Sequence, residues 1–183
     1  HVEAFSGTGK LLKSFVAFDS RFLCGARVAS TDLNRDGFAD IIVSAGTGGR
    51  GHTVAYSGAT GQLLASVLPF GSLFGGLVSL AAGDFSGTGQ GEIAIGVAVG
   101  AAAHVVVFQP LSGARVGSYF AYSNFGGGIR LGTVSRDGRT ELMTVSNTAG
   151  VADVRGFDAT SGTLKDHFML YAVGFSRGAT FGG

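Results

Sequence analysis

Cysteine and charge are both scarce in this chain, and each shortage removes a class of protein. Cys24 is the only cysteine, so no intrachain disulfide can form and a disulfide-built scaffold is excluded. Cys24 also lacks the sequence context of a catalytic nucleophile. Only 14% of residues are charged and the formal net charge is +1. The 13 lysines and arginines are scattered, whereas a nucleic-acid surface gathers them into a patch or stripe. Low charge together with 45% hydrophobic residues is the opposite of a disordered composition. No apolar run approaches the length of a membrane span. The first residue is His1 rather than methionine, the expectation for a mature or excised piece, so no targeting signal is read from it.

What the chain has in abundance is repetition. The aromatics Phe5, Tyr56, Phe108 and Phe157 recur at about 51 residues, and Phe18, Phe70, Tyr122 and Tyr171 repeat the interval. So do Phe22, Phe74, Phe125 and Phe175. His1, His52 and His104 fall in register, with Asp153 in the fourth place. Each unit reads as a short apolar strand, a glycine turn and a strand ending in an aromatic. A Phe/Gly-rich link, a third strand, a polar loop and a fourth strand follow. These short β-branched and aromatic runs bounded by turn residues predict an all-β fold, and no segment keeps a helical period. Four antiparallel strands in about 51 residues suit a β-propeller blade. The units are 1–51, 52–103, 104–152 and an incomplete 153–183, about three and a half repeats in a single array. The aligned aromatics are expected to be core.

The polar loop carries the chemistry. In the first unit, oxygen-bearing side chains stand at loop positions 1, 3, 5 and 9 (Asp32, Asn34, Asp36, Asp40), with Gly37 at position 6. Alternate placement lets a tightly turning backbone aim successive oxygens inward, as a calcium ion wanting six to eight oxygens requires. Phe38 would add its carbonyl. The pattern departs from an EF-hand, because position 12 is Val43 and the flanks are strands. The second loop offers Asp84, Ser86, Thr88 and Glu92, and the third Ser135, Asp137 and Glu141. Hydroxyls replace carboxylates there, which weakens a calcium site. Seven of the 12 acidic residues lie in these three loops, and carboxylates so crowded repel without a cation. The plain alternative is that Asp-Gly loops make good hairpin turns.

With Asp32 to Asp40 followed by Ile41 to Gly46, and with Phe74-Gly75-Gly76 and Phe125-Gly126-Gly127 before third strands, the chain resembles the FG-GAP/VCBS repeat family, which includes the α-subunit propellers of integrins. The stretch Val154 to Gly162 also resembles tandem repeats of bacterial cell-surface proteins. The resemblance implies a propeller of about seven blades with calcium in hairpin loops on one face. It implies an extracellular or cell-surface role in adhesion, recognition or scaffolding, with partners usually bound on the opposite face. By resemblance, Asp32, Asn34, Asp36, Phe38 (carbonyl) and Asp40 are metal ligands.

Fourteen strands make an open half-ring with exposed sheet edges. The expected partners are the rest of a longer chain or further copies of this one, closing a ring or forming a filament. Other readings are weaker. Gly46, Gly48 and Gly51 fit a dinucleotide fingerprint in spacing, but a strand rather than a helix follows. The repeated histidines are expected to hydrogen-bond between adjacent blades. A lectin-like propeller would bind glycan in a cleft near Tyr122, Asn124 and Arg130. A polysaccharide-degrading enzyme needs a carboxylate pair, and Glu3, Asp19, Asp153, Asp158 and Asp166 form none that sequence can recognise. The expectation is therefore a non-enzymatic module.

Overall fold

The computed structural model describes residues 1–136, 139–146 and 153–170. These residues hold fourteen strands and no helix. In chain order the strands are β1 (Val2–Phe5), β2 (Leu11–Phe15), β3 (Ala26–Thr31), β4 (Asp40–Ala45), β5 (Thr53–Tyr56), β6 (Leu63–Val67) and β7 (Leu77–Gly83). They continue with β8 (Glu92–Val99), β9 (His104–Gln109), β10 (Ala114–Phe120), β11 (Ile129–Arg136), β12 (Arg139–Ser146), β13 (Asp153–Phe157) and β14 (Leu164–Met169). Three four-stranded antiparallel sheets form, β3–β6, β7–β10 and β11–β14, preceded by the two-stranded β1–β2. Among the described residues the sheets do not close into a ring.

The repeat period holds, but each sheet is assembled across a unit boundary. The first full sheet takes β3 and β4 from unit 1–51 and β5 and β6 from the next. The Gly-rich stretch between β4 and β5 is a hairpin inside one sheet, closed by Ala45 N donating to His52 O at 2.8 Å. The Phe/Gly-rich links are the crossings from one sheet to the next. Antiparallel hairpin turns and inter-sheet links are both glycine-rich here, so composition alone does not distinguish them.

The second full sheet is buried on both faces, which explains the near-continuous apolar runs of β8 and β9. Along β4, Ile42 enters the core shared with the second full sheet, beside Leu80, Ile93 and Ile95. Val43 and Ile41 turn the other way, toward Val2 and Phe15 of the half sheet. Ala94 joins the core with Ile129 and Leu131 of the third. A methyl at Gly96 would press on Ile129 and Leu131, so a small residue there lets the sheets close. Burying each such isoleucine contributes about 1.5–3 kcal/mol.

The inner strands β3, β7 and β11 follow one another and are tied by single hydrogen bonds. Arg27 Nε donates to Val78 O at 2.9 Å, and Leu131 N donates to Ser79 Oγ at 2.8 Å. The histidines differ from expectation. His1, His52 and His104 lie 2.8, 2.9 and 3.0 Å from Ser14, Ser66 and Ser118, each within its own sheet. Their reach to a neighbouring sheet is by ring packing, His52 on Phe18 and His104 on Phe70. In the fourth place the pair is reversed: Asp153 precedes, and His167 Nε2 lies 2.9 Å from its Oδ1.

Candidate cation-binding loops

The β3–β4 loop is folded around one carboxylate. Asp32 Oδ1 accepts the amides of Asn34, Arg35 and Asp36 at 3.3, 2.7 and 3.3 Å, and Oδ2 accepts that of Gly37 at 2.9 Å. Partial desolvation raises the Asp32 pKa, but the four amides together outweigh it and hold the group below its ordinary value. Asn34 Oδ1 accepts Asp36 N at 3.1 Å, and Asp36 Oδ1 accepts Phe38 N at 2.9 Å. Asn34 Nδ2 donates to Asp36 Oδ2 at 2.9 Å. This winding needs left-handed backbone at Arg35 (φ 62°) and Gly37 (φ 82°). Leu33 at position 2 is wholly buried and pins the loop into the core beneath it.

Asp40 makes a different set of contacts from the other three. It is the first residue of β4 and fully buried, with Oδ2 accepting Leu33 N at 2.8 Å and Oδ1 accepting Gly58 N at 2.9 Å. Its carboxylate is a strut between the loop and the β5–β6 turn, a role the ninth-position reading does not contain. The Phe38 side chain is exposed.

The β7–β8 loop repeats the scaffold with fewer charges. Asp84 accepts Thr88 N at 2.9 Å and Gly89 N at 2.7 Å, as Asp32 accepts Asp36 and Gly37. Gly87 (φ 71°) stands where Arg35 does, and Gly89 (φ 78°) where Gly37 does. Glu92 repeats the loop half of the Asp40 role, accepting Phe85 N at 2.8 Å and taking the Ser86 hydroxyl. Ser86 and Thr88 are 3.1 Å apart through their hydroxyls.

The third loop is a different structure. Eight residues separate the paired Thr31 and Asp40, and likewise Gly83 and Glu92, but six separate the paired Val134 and Glu141. The ladder runs on through Ser135 opposite Thr140 to Arg136 opposite Arg139. Ser135 is thus a strand residue, and Asp137 lies outside the described residues. Among the described residues Glu141 braces no loop amide, and its Oε2 is buried without a partner. The lost pair of residues turns a winding loop into a tight hairpin, so Ser135 and Glu141 are not gathered in the manner of Asp32 and Asp36.

The donor set of the first loop suits a hard cation: two carboxylates and a carboxamide oxygen within five residues, on a backbone wound around the Asp32 carboxylate. No three His, Cys, Asp or Glu side chains converge as a cage among the described residues. Asp32, Asn34 and Asp36 would therefore need main-chain oxygens or water to complete a coordination shell.

The expected glycan residues do not come together. Tyr122 and Asn124 line one cavity of about 480 Å³, and Arg130 is not part of its wall. The Tyr122 hydroxyl lies 2.6 Å from Asp153 O and the Arg155 guanidinium covers its ring at 4.3 Å, so the residue is committed to packing. Burial pushes its pKa up to about 12. The Gly46–Gly51 stretch leads into β5, a strand.

The sequence gives no direct sign of three bonds that join the first two loops. Arg35 Nη2 donates to Thr88 O, Gln90 Nε2 to Leu33 O, and Gly91 N to Asp32 O, each at 2.8 Å. The one available signal is the Arg35 and Gly87 mismatch at a left-handed position.

Successive four-stranded antiparallel sheets, stacked face to face with their inner strands adjacent, define a β-propeller-like module. Residues 25–62, from the start of the first sheet through its loop to the β5–β6 turn, match the family model of the FG-GAP repeat. The match agrees with the FG-GAP/VCBS resemblance and covers the part of it carried by Asp32 to Gly46. No curated protein matches the chain. Among the described residues, no helix is long and apolar enough to cross a membrane.

Proposed function

We propose that this chain is a calcium-stabilised propeller module of extracellular or cell-surface type, serving adhesion, scaffolding or self-assembly rather than catalysis. The observation that carries this reading is the first loop, where a backbone wound around the Asp32 carboxylate brings Asn34 and Asp36 into one turn inside the segment that matches the FG-GAP repeat. Bound calcium would supply a double positive charge to those oxygens. Asp32 holds the loop backbone, Asn34 and Asp36 close its open side, and Leu33 anchors it to the core between two sheets. Asp40 ties the same loop to the β5–β6 turn. Stiffening this loop stiffens the contact between neighbouring sheets.

A non-catalytic role is supported by where the other carboxylates go. Asp19 pairs with Arg21, Asp153 with Arg155 and His167, and Asp166 with Arg136. Asp158 is held by its own turn through Ser161 N, and Glu3 lies 3.7 Å from His1. Thermal unfolding tests the reading, since a ligand bound only by the native state raises Tm by mass action. The chain should melt higher in millimolar calcium than in chelator, and Asp36→Ala should remove most of that difference. Equal melting of both proteins in both buffers would refute the first-loop site.

A further inference from the structure

The geometry points to Arg35 and Gln90 as positioning residues for the first loop, holding its donor oxygens in place from across a sheet boundary. The inference rests on the cation-binding reading of that loop. Neither side chain is a cation ligand in it: one is a guanidinium, and the other belongs to the neighbouring loop and is spent on a carbonyl. Their contacts hold the backbone on either side of the Asp32 carboxylate. The Arg35 amide makes the shortest bond to the Asp32 carboxylate, 2.7 Å, while its guanidinium is fixed 2.8 Å from Thr88 O. Gly91 N holds the Asp32 carbonyl and Gln90 Nε2 the Leu33 carbonyl, both at 2.8 Å. The orientation of Asp32 is therefore set by the second loop as well as by its own.

The choice of residue supports this. The two loops share a backbone, and the left-handed position that the second fills with Gly87 is filled by Arg35 in the first. A side chain is disfavoured at such φ, so its retention is explained by what the guanidinium reaches. The fit is close enough that a Cβ at Gly91 would overlap Thr31. Across the next boundary, from the second loop to the shortened third hairpin, no loop-to-loop hydrogen bond of this kind occurs among the described residues. The latch thus accompanies the loop with the most carboxylates.

The test is a calcium titration of the whole chain by calorimetry, with Arg35→Gly, Arg35→Lys and Gln90→Ala beside the parent. Arg35→Gly removes the guanidinium bond to Thr88 O and relieves the backbone. We expect Kd to rise about three- to tenfold in Arg35→Gly and in Gln90→Ala, the loss of one hydrogen bond each, with unchanged stoichiometry. Arg35→Lys, which keeps a donor for Thr88 O, should recover part of the affinity. Hydrogen exchange supplies a second readout: calcium should slow exchange at the Gly91 amide in the parent and not in Arg35→Gly. Unchanged or tighter binding by Arg35→Gly, with Gly91 protection intact, overturns the positioning role alone. A parent that takes up no calcium overturns the cation reading and this inference together.

Discussion

Asp40 and Gly58, eighteen residues apart in sequence, are joined by a 2.9 Å hydrogen bond from the Gly58 amide to a carboxylate with no exposure to solvent. The other oxygen of Asp40 serves Leu33 N, so one side chain satisfies two amides. Asp40→Ala removes both acceptors and should cost about 3 kcal/mol of unfolding free energy. The loss should be equal in calcium and in chelator, measured by denaturant unfolding. A loss seen in calcium alone would make Asp40 a cation ligand instead of a strut.

Gly91 faces Thr31 across the boundary of the first two full sheets, with no room for a methyl group. Gly91→Ala should destabilise the chain by about 1–3 kcal/mol through overpacking. Gly75→Ala is the control, because nothing lies within 4 Å of a Cβ there. Similar melting of the two variants would show that the loops part without cost.

His104 has its pKa lowered, first by burial among Phe70, Phe120 and its own sheet and then by the charge of Arg115. The unfolded chain therefore binds this proton more tightly than the folded one. The stabilising contribution is complete above the unfolded value of about 6.5 and is lost as pH falls through the lower folded value. Tm should fall between pH 7 and pH 5, and His104→Gln should flatten that decline. A variant whose Tm follows the parent across this range would remove His104 from the account.

Val28 and Leu80 occupy the same place on successive inner strands, yet Val28 is 61% exposed and Leu80 9%. Leu80 is covered by the preceding sheet, whereas Val28 faces the side where β1–β2 lacks inner strands. Leu80→Ala should cost about 2–4 kcal/mol, and Val28→Ala well under that. If further strands or a second copy cover this face, Val28→Asp should reduce self-association in sedimentation velocity while leaving the monomer's Tm unchanged. Identical sedimentation of parent and Val28→Asp would place the contact elsewhere.

The strands and their number were legible because both-face burial leaves apolar runs punctuated by glycine turns, as in β8 and β9. Sheet boundaries were not, because the hairpin at Gly46–Gly51 and the crossing at Gly71–Gly76 are both glycine-rich. The winding of the first loop could be read from Asp32, Asn34 and Asp36. The strut role of Asp40 could not, since it depends on Gly58, which sequence spacing does not bring near. The third loop misled for a definable reason: a deletion of two residues leaves Asp137 and Gly138 in the motif but lets the ladder of β11 and β12 close over Ser135. Tyr122 likewise read as available, although its ring and hydroxyl are both occupied once Arg155 and Asp153 fold against it.

The most direct measurement is native mass spectrometry of the chain and of Asp36→Ala, sprayed from dilute calcium and again after chelation. The parent should carry at least one calcium ion per chain, lost on chelation, and the Asp36→Ala chain one ion fewer. A parent of unchanged mass in calcium would contradict this and leave the Asp32–Asp36 winding as a turn stabilised by its own amides.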